Sequence, residues 1–396
     1  MIAPPLGHSL PRRPTGEEDV TPVGWLECVT AGMQPARSHS VFIGVLPGEG
    51  IGPEVTEGAI EVLRSVSRVT GLSLQVATGG LIGLDALRES GSLLPDEVVN
   101  FCAKVFAEGG CILNGPGGGR YVYDLRRQLD LFFKISPIQA HCGLPEISPL
   151  KREFLEAVDL LIVRENSEGL YQGQWEQGSD ASGSPLAQHA FSYGEPAVRR
   201  FLDAAARLAQ SRRGELTVVY KKHGVPSISD LWQDCAQRAA AAHGIQCSLV
   251  DVDLMAYQLV QCAHRFDVIA APNMFGDILA DLAAVHLGSR AHSFSGNFSP
   301  EGRAVYQTNH GAAYDVAGTD TGNPVGQMLS LAMMLRVSFW CEREAWAIEE
   351  GIRRVWRAGW RTRDVAHAGA KVAGTREMSA LVAEAAVGCL EMPEAQ

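Results

Sequence analysis

The feature that most constrains this chain is a repeated change of hydrophobic period. Apolar runs of strand length end in glycine-rich or polar loops, and helical patterns follow them. "SVFIGVLPGEGIGPEVTEGAIEVLRSV" reads as strand, tight loop and helix, with Pro53 and Glu54 suited to the first helical turn. "CILNGPGGG" closes a second such run, and "FLEAVDLLIVRENSEGLYQGQWEQG" enters a polar loop. "ELTVVYKK" is a strand, "ISDLWQDCAQRAAAAHG" a helix with a glycine stop, and "RFDVIAAPNMFGDILADLAAVHLG" again strand, loop, helix. The alternation sets the class as α/β. Residues 174–190 read as an exposed loop or hairpin. "NHGAAYDVAGTDTGNP" is a long glycine-rich loop running into a mostly buried helix that Asn323 and Pro324 start well.

At 396 residues the chain exceeds one ordinary domain, and two are expected. A net charge of −11 and the lack of a basic–aromatic pattern argue against nucleic acid as a partner. The nine cysteines form no CxxC pair, which points to free thiols in a reducing, cytoplasmic compartment. No apolar run reaches membrane-spanning length, so no membrane partner is expected. Residues 1–38 lack both periodicity and the order of a signal peptide. They are expected to be a flexible extension, with Met33 as an alternative start.

The loop "GEGIGP" is neither the dinucleotide fingerprint GxGxxG nor a P-loop. Glu49 within it and Glu54 just after it would repel a phosphate unless a cation intervened. Asp277 and Asp281, four residues apart on one helix, share a face; two like charges there cost stability unless a cation or a base joins them, and helix-cap or surface acids are the alternative. Asp253, in "LVDVDLMAYQ", is a third candidate. Three carboxylates with water would suit Mg²⁺ or Mn²⁺. Arg126, in "LRRQLDL", and Arg164, at the end of "LIVR", offer guanidinium forks for an acidic substrate, although a lone arginine is more often a surface residue. Tyr171 follows in the next loop as a candidate proton donor, if a nearby cation lowers its pKa.

Four stretches carry a resemblance: "GEGIGPE", "VRENSEG" with "YQG", "APNMFGDILADLAA" and "HGAAYDVAGTDTGNP". Together, in this order, they resemble the isocitrate and isopropylmalate dehydrogenases, the metal-dependent β-decarboxylating dehydrogenases. The resemblance implies an isopropylmalate dehydrogenase-like two-domain fold and not a classical Rossmann fold. A large cofactor domain would comprise residues 39–134 and 291–396, and a small, dimer-forming domain residues 135–290. It implies a homodimer with active sites shared between subunits.

By matching position, Asp277 and Asp281 would bind Mg²⁺ or Mn²⁺, with Asp253 supplied by the partner subunit. Arg126 and Arg164 would hold substrate carboxylates, and Tyr171 would act on the enol. Counting back from Trp232 places Lys222 on the catalytic lysine, with Lys221 beside it. On the cofactor side, His310, Gly311 and Asn323 match positions around the adenine. Asp315 matches the carboxylate that binds the adenosine ribose, which implies NAD, since a carboxylate repels a 2′-phosphate. The reaction implied is oxidative decarboxylation of a 3-substituted malate. Isocitrate or 3-isopropylmalate dehydrogenase proper, tartrate- or malate-type oxidation, and a non-catalytic regulatory subunit are the alternatives.

The chain also departs from the family pattern. Glu49 stands where aspartate is usual, Gly224 where asparagine helps place the nicotinamide, and Tyr314 is unusual. Ser136 occupies the place of a third arginine. Arg120 is the expected replacement charge, and Tyr121 and Tyr123 are candidate pocket walls.

Overall fold

The computed structural model describes residues 25–30, 40–139 and 147–391. The first half of the chain runs α1 (Trp25–Val29), β1 (Ser40–Leu46), α2 (Gly52–Thr70), β2 (Ser73–Thr78), α3 (Gly83–Ser90), α4 (Asp96–Ala107) and β3 (Cys111–Asn114). It continues through α5 (Tyr121–Gln128), β4 (Phe133–Gln139), β5 (Asp159–Glu165), β6 (Gln174–Ser179), β7 (Pro185–Ala190), α6 (Glu195–Gln210) and β8 (Glu215–Tyr220). Next come α7 (Pro226–His243), β9 (Gln246–Asp251), α8 (Val252–Cys262), β10 (Val268–Ala271), α9 (Asn273–Ala283), β11 (Phe294–Phe298) and β12 (Ala304–Thr308). The last elements are α10 (Val325–Phe339), α11 (Glu342–Arg357), β13 (Trp360–Arg361), β14 (Lys371–Val372) and α12 (Thr375–Glu391).

Ten strands form one sheet in the order β2-β1-β3-β12-β11-β4-β5-β10-β8-β9. Its flanks are parallel, but β12–β11, β11–β4 and β4–β5 pair antiparallel. This interrupts the uniformly parallel centre of a doubly wound nucleotide fold. The strands β2, β1, β3, β12 and β11 come from the two outer parts of the sequence, and the other five come from its middle. The sheet runs unbroken across the expected domain boundary, which falls inside β4.

Local chemistry explains the key ends. Pro53 lies in the first turn of α2, and Gly71 closes that helix in the left-handed region with φ 73°. Helix α10 is buried on nearly every face, so it lacks an amphipathic stripe. Asn323 Oδ1 accepts from the Val325 N–H at 3.0 Å and thereby caps α10. The hairpin β6–β7 is antiparallel and exposed along both strands.

The expectation of a flexible stretch over residues 1–38 is corrected at α1. Trp25, Leu26, Cys28 and Val29 are buried in the main core, and Arg207 Nε donates to the Cys28 carbonyl at 2.6 Å. Five residues are too few to give a periodic signal; tertiary packing makes this helix. Met33 lies outside the described residues. Trp25→Ala is expected to lower unfolding stability by about 3 kcal/mol, measured by denaturant titration. No change would mean that α1 is detached in solution.

Candidate functional site

Arg164, the penultimate residue of β5, is 3% exposed. Antiparallel register sets Arg164 directly opposite Lys134 on β4, and Lys134 opposite Asn297 on β11. Opposed residues project from the same sheet face, so the two cations lie side by side. Helix α9 begins just beyond β10 and brings Asn273 and Asp277 over Arg164. The guanidinium donates to Asn273 Oδ1 from Nε at 3.1 Å and from Nη2 at 2.8 Å, and its Nη1 pairs with Asp277. Asn273 is held in turn: its Nδ2 donates to the Glu168 carbonyl at 2.7 Å, and its N–H donates to the Tyr193 hydroxyl at 2.8 Å. Gly276 makes the close approach possible. A Cβ there would stand 2.8 Å from the Arg164 side chain.

Arg126 joins from the last turn of α5 and is 6% exposed. Its Nε has no hydrogen-bond partner, and its guanidinium lies 5.6 Å from the Tyr123 ring centre. Burial, then the charge of Arg164, lowers its pKa to about 10. Burial alone would raise the Asp277 carboxyl, but Arg164, Lys134 and Arg126 outweigh it and hold the group below its ordinary range. Asp277 is therefore an ionised carboxylate among cations. Asp281, one turn on, accepts from Arg290 Nη2 at 2.7 Å.

Tyr171 sits on the short turn Leu170–Gln172. Its ring lies 5.1 Å from Tyr123 and 5.4 Å from the Arg164 guanidinium. The sequence suggested a phenol whose pKa a cation would lower. Instead burial, then the Asp277 charge, pushes it up to about 12. The group is a firmly protonated donor. Tyr121 is fully buried in the core and is not a pocket wall.

Arg120 does not stand as a spare charge. Its Nη1 donates to the Tyr171 carbonyl at 2.6 Å, its Nε pairs with Asp124 at 3.3 Å, and its guanidinium stacks 4.7 Å from the Trp175 ring centre. Arg120 anchors the Tyr171 loop. The buried cation on the face of Ser136 is Lys134, which sequence reasoning missed. The signal was present: residues 134 and 136 of a strand share a face.

Lys222 lies apart from this cluster in its own chain. Its ammonium bonds to Asp230 and to Gln233 Oε1 at 3.2 Å. The Asp230 hydrogen bond raises its pKa. Lys221 pairs with Asp253 at 2.5 Å. Among the described residues no three His, Cys, Asp or Glu side chains come together to hold a metal. One chain thus presents two of the three expected oxygen donors. Both are carboxylates one helical turn apart, a hard donor pair that fits Mg²⁺ or Mn²⁺ once further oxygens are supplied.

On the opposite side, Glu49 is buried. It accepts from the Leu84 N–H at 2.6 Å, the Gly118 N–H at 3.2 Å and the Tyr314 hydroxyl at 2.7 Å. Two departures from the family pattern, Glu49 and Tyr314, are therefore one contact. Gly50, at φ 59°, lets the loop meet the Ala312 carbonyl, where a Cβ would clash at 2.0 Å. His310 is half-buried, and its Nδ1 meets the Gly311 carbonyl at 3.1 Å while its Nε2 has no partner. Burial lowers its pKa and keeps the ring neutral. A Cβ at Gly311 would meet open space, and Asp315 is exposed on the turn Tyr314–Val316. An unpartnered ring nitrogen beside an open glycine and a free carboxylate fits an adenosine moiety. Asn323 is different: it is buried, and its amide is committed to the cap of α10, to His292 at 3.1 Å and to Asp364 at 3.1 Å.

Glu165, on the other face of β5, is fully buried, and burial raises its pKa to about 7 despite hydrogen bonds from Ser167 and Glu168. A raised carboxyl favours the folded state below its unfolded value and loses that contribution as pH rises through about 7. Glu165→Gln is therefore expected to gain stability over wild type between pH 5 and pH 8, by roughly 1–3 kcal/mol. Melting curves across that range check the sign; parallel curves would contradict it.

The eight cysteines among the described residues are free thiols, and none of the helices there is long and apolar enough to cross a membrane.

Comparison with known proteins supplies the wider frame. Residues 42–382 match the family model described as isocitrate/isopropylmalate dehydrogenase. The chain is 38% identical to a 3-isopropylmalate dehydrogenase of Bacillus licheniformis over 338 residues, 82% of this chain and 90% of the relative. It is 37% identical to that of Geobacillus kaustophilus, over 85% of this chain and 93% of the relative. The crystal structure of an isocitrate dehydrogenase from Methylococcus capsulatus superposes with a TM-score of 0.76 at 27% identity, covering 88% of this chain and 99% of that one. The TT0538 protein of Thermus thermophilus superposes with a TM-score of 0.75 at 26% identity, over 90% and 69% of the two chains. The two substrates named among these relatives differ, so likeness alone does not select one. The chain belongs to the isocitrate/isopropylmalate dehydrogenase family of metal-dependent β-decarboxylating enzymes: it has that family's two-domain α/β architecture and is an NAD-dependent dehydrogenase acting on a hydroxy-dicarboxylate.

Proposed function

We propose that the protein oxidises and decarboxylates a 3-substituted malate, with NAD and Mg²⁺ or Mn²⁺, giving a 2-keto acid, NADH and carbon dioxide. The observation that carries this reading is the buried cluster of Arg126 and Arg164 beside the Asp277–Asp281 pair. Arg126 has no ion-pair partner among the described residues, and a buried guanidinium in that state calls for an anion.

Arg126 and Arg164 hold the substrate carboxylates and fix C2 and C3 above β5. Asp277 and Asp281 would hold the divalent ion, which would supply Lewis acidity, and His310 and Asp315 would hold the adenosine end of NAD, whose nicotinamide would supply the hydride acceptor. As the C2–H bond breaks, a base must take the hydroxyl proton. Lys222, reaching over from a second protomer, fills that role once a cationic surrounding reverses the effect of Asp230. The bond from C3 to its carboxylate then breaks and carbon dioxide leaves. Tyr171, held protonated, returns a proton to C3.

A homodimer is part of this reading. Leu254, Tyr257 and Val260 on α8 and Ile278 on α9 are exposed apolar side chains. The hairpin β6–β7 exposes both of its faces, and an isolated two-stranded hairpin is only marginally stable. A second copy covering these surfaces would bring Lys222 and Asp253 to the site. NAD is favoured over NADP because Asp315 would repel a 2′-phosphate.

The test is a substrate panel with NAD and Mg²⁺ or Mn²⁺ that follows NADH and carbon dioxide together. The panel contains isocitrate, 3-isopropylmalate, homoisocitrate, tartrate, malate and bulkier 3-substituted malates. Equal yields of NADH and carbon dioxide from a 3-substituted malate are expected. NADH without carbon dioxide, or no NADH from any member, would overturn the reading.

A further inference from the structure

The cluster contains one more cation than the family resemblance assigned to it. Lys134 is the second residue of β4 and only 4% exposed, yet its ammonium makes no hydrogen bond or ion pair with any described residue. Its neighbours across the sheet are Arg164 and Asn297. Asn297 is already engaged, with its Oδ1 accepting from Asn166 at 3.1 Å and its Nδ2 donating to the Val305 carbonyl at 3.1 Å. Burial, then repulsion from Arg126 and Arg164, drives the lysine well below its ordinary pKa, while Asp277 and Asp281 oppose that effect.

Three buried basic side chains thus lie about a carboxylate, Asp277, that Arg164 already occupies. A buried charge without a partner is unfavourable by several kcal/mol, so such a group persists where a ligand completes it. The other groups placed to meet a substrate carboxylate here are used elsewhere. Arg120 is bound to the Tyr171 carbonyl and to Asp124. Ser136 is buried, and its hydroxyl accepts from Asn309 Nδ2 at 3.3 Å.

We propose that Lys134 is a substrate-binding residue: its ammonium, with Arg126 and Arg164, receives a carboxylate of the hydroxy-dicarboxylate and replaces the cation that Ser136 does not provide. The proposal rests on the reading of this cluster as the dicarboxylate site. It also bears on which substrate fits. The charge has moved two residues along β4, roughly 7 Å of strand, towards Arg164. A short serine stands where a long arginine would otherwise reach. The carboxylate is drawn to the Arg164 end, and the C3 substituent meets no charged side chain at Ser136. Lysine also offers a point charge and not a planar fork, so it constrains the carboxylate less tightly in angle.

The experiment uses the full-length protein without metal or nucleotide and malonate as the probe, at constant ionic strength. Malonate supplies two carboxylates and cannot be oxidised. Binding is read by calorimetry and by melting temperature for wild type, Lys134→Met and Lys134→Arg. Wild type is expected to bind and to be stabilised. Lys134→Met is expected to bind malonate at least about 30-fold more weakly, as for loss of one partner of a buried charge pair. Its free form is expected to melt no lower than wild type, because an unpaired buried charge is gone. Lys134→Arg, which keeps the charge, is expected to retain most of the affinity.

Unchanged malonate binding by Lys134→Met overturns the proposal. So does a markedly lower melting point of that variant in the free state, which would mark a structural lysine. A wild-type protein that malonate neither titrates nor stabilises also overturns it. The two readings fail separately. A silent substrate panel with a Lys134-dependent malonate site would remove the proposed reaction and keep the anion site. Turnover with an unchanged KM in Lys134→Met would remove Lys134 and keep the reaction.

Discussion

Arg164→Met is expected to reduce kcat/KM by roughly 30- to 5,000-fold, the equivalent of about 2–5 kcal/mol for a substrate carboxylate that loses a buried charged partner. The larger part should appear in KM if Arg164 grips the ground state and the transition state alike. Stability should change less. The substitution leaves Asn273 Oδ1 without its donors and Asp277 without its guanidinium. It also relieves repulsion on Arg126 and Lys134, whose pKa values Arg164 depresses. The opposing terms leave a net loss of about 1–3 kcal/mol. Steady-state kinetics beside a denaturant titration separates the effects. A variant that loses several kcal/mol of stability but keeps KM would mark Arg164 as a structural ion pair.

Asp277→Asn acts on the same contact from the other side. Asparagine keeps an oxygen for Arg164 and nearly the same volume, so the fold should be retained. The charge that would hold the divalent ion is gone. Stabilisation of the protein by Mn²⁺ should disappear, and turnover should fall by at least about 10³, since Lewis-acid stabilisation is worth several kcal/mol. Malonate binding in the absence of metal should stay the same or tighten, because the cluster loses a negative charge that competes for the cations. Weaker malonate binding would contradict the placement of Asp277 at the edge of an anion site.

What the sequence made legible follows from where the information lies along the chain. The strand–loop–helix units of β1 and α2, or of β10 and α9, are short-range patterns, and they are present as read. The shared face of Asp277 and Asp281 needs only four residues of helix. The pairing of Arg164 with Asp277 spans 113 positions and depends on the missing side chain of Gly276, so no local pattern announces it. Lys134 was hidden inside "DLFFKISP", where the apolar run masks a strand face whose alternate residue is Ser136. Arg120 read as a free charge because its partners, the Tyr171 carbonyl and Gln172, belong to a loop 51 and 52 positions away. The contact of Glu49 with Tyr314 joins two residues that each looked odd alone and are separated by 265 positions. The antiparallel centre of the sheet is likewise a matter of which strands meet, and it was outside what period and propensity report.

The central claim is that each site draws Arg126, Arg164, Asp277 and Asp281 from one chain and Lys222 from another. Mixing two inactive variants, Lys222→Met and Asp277→Asn, under conditions that allow subunit exchange tests it most directly. In a hybrid dimer one site has both substitutions and the other has neither. Half of the dimers being hybrids, with one intact site each, activity should return to about a quarter of wild type. Recovery to that level is the predicted result. If the mixture stays as inactive as its components while hybrids demonstrably form, Lys222 serves its own chain's site or none, and the account of a shared site is wrong.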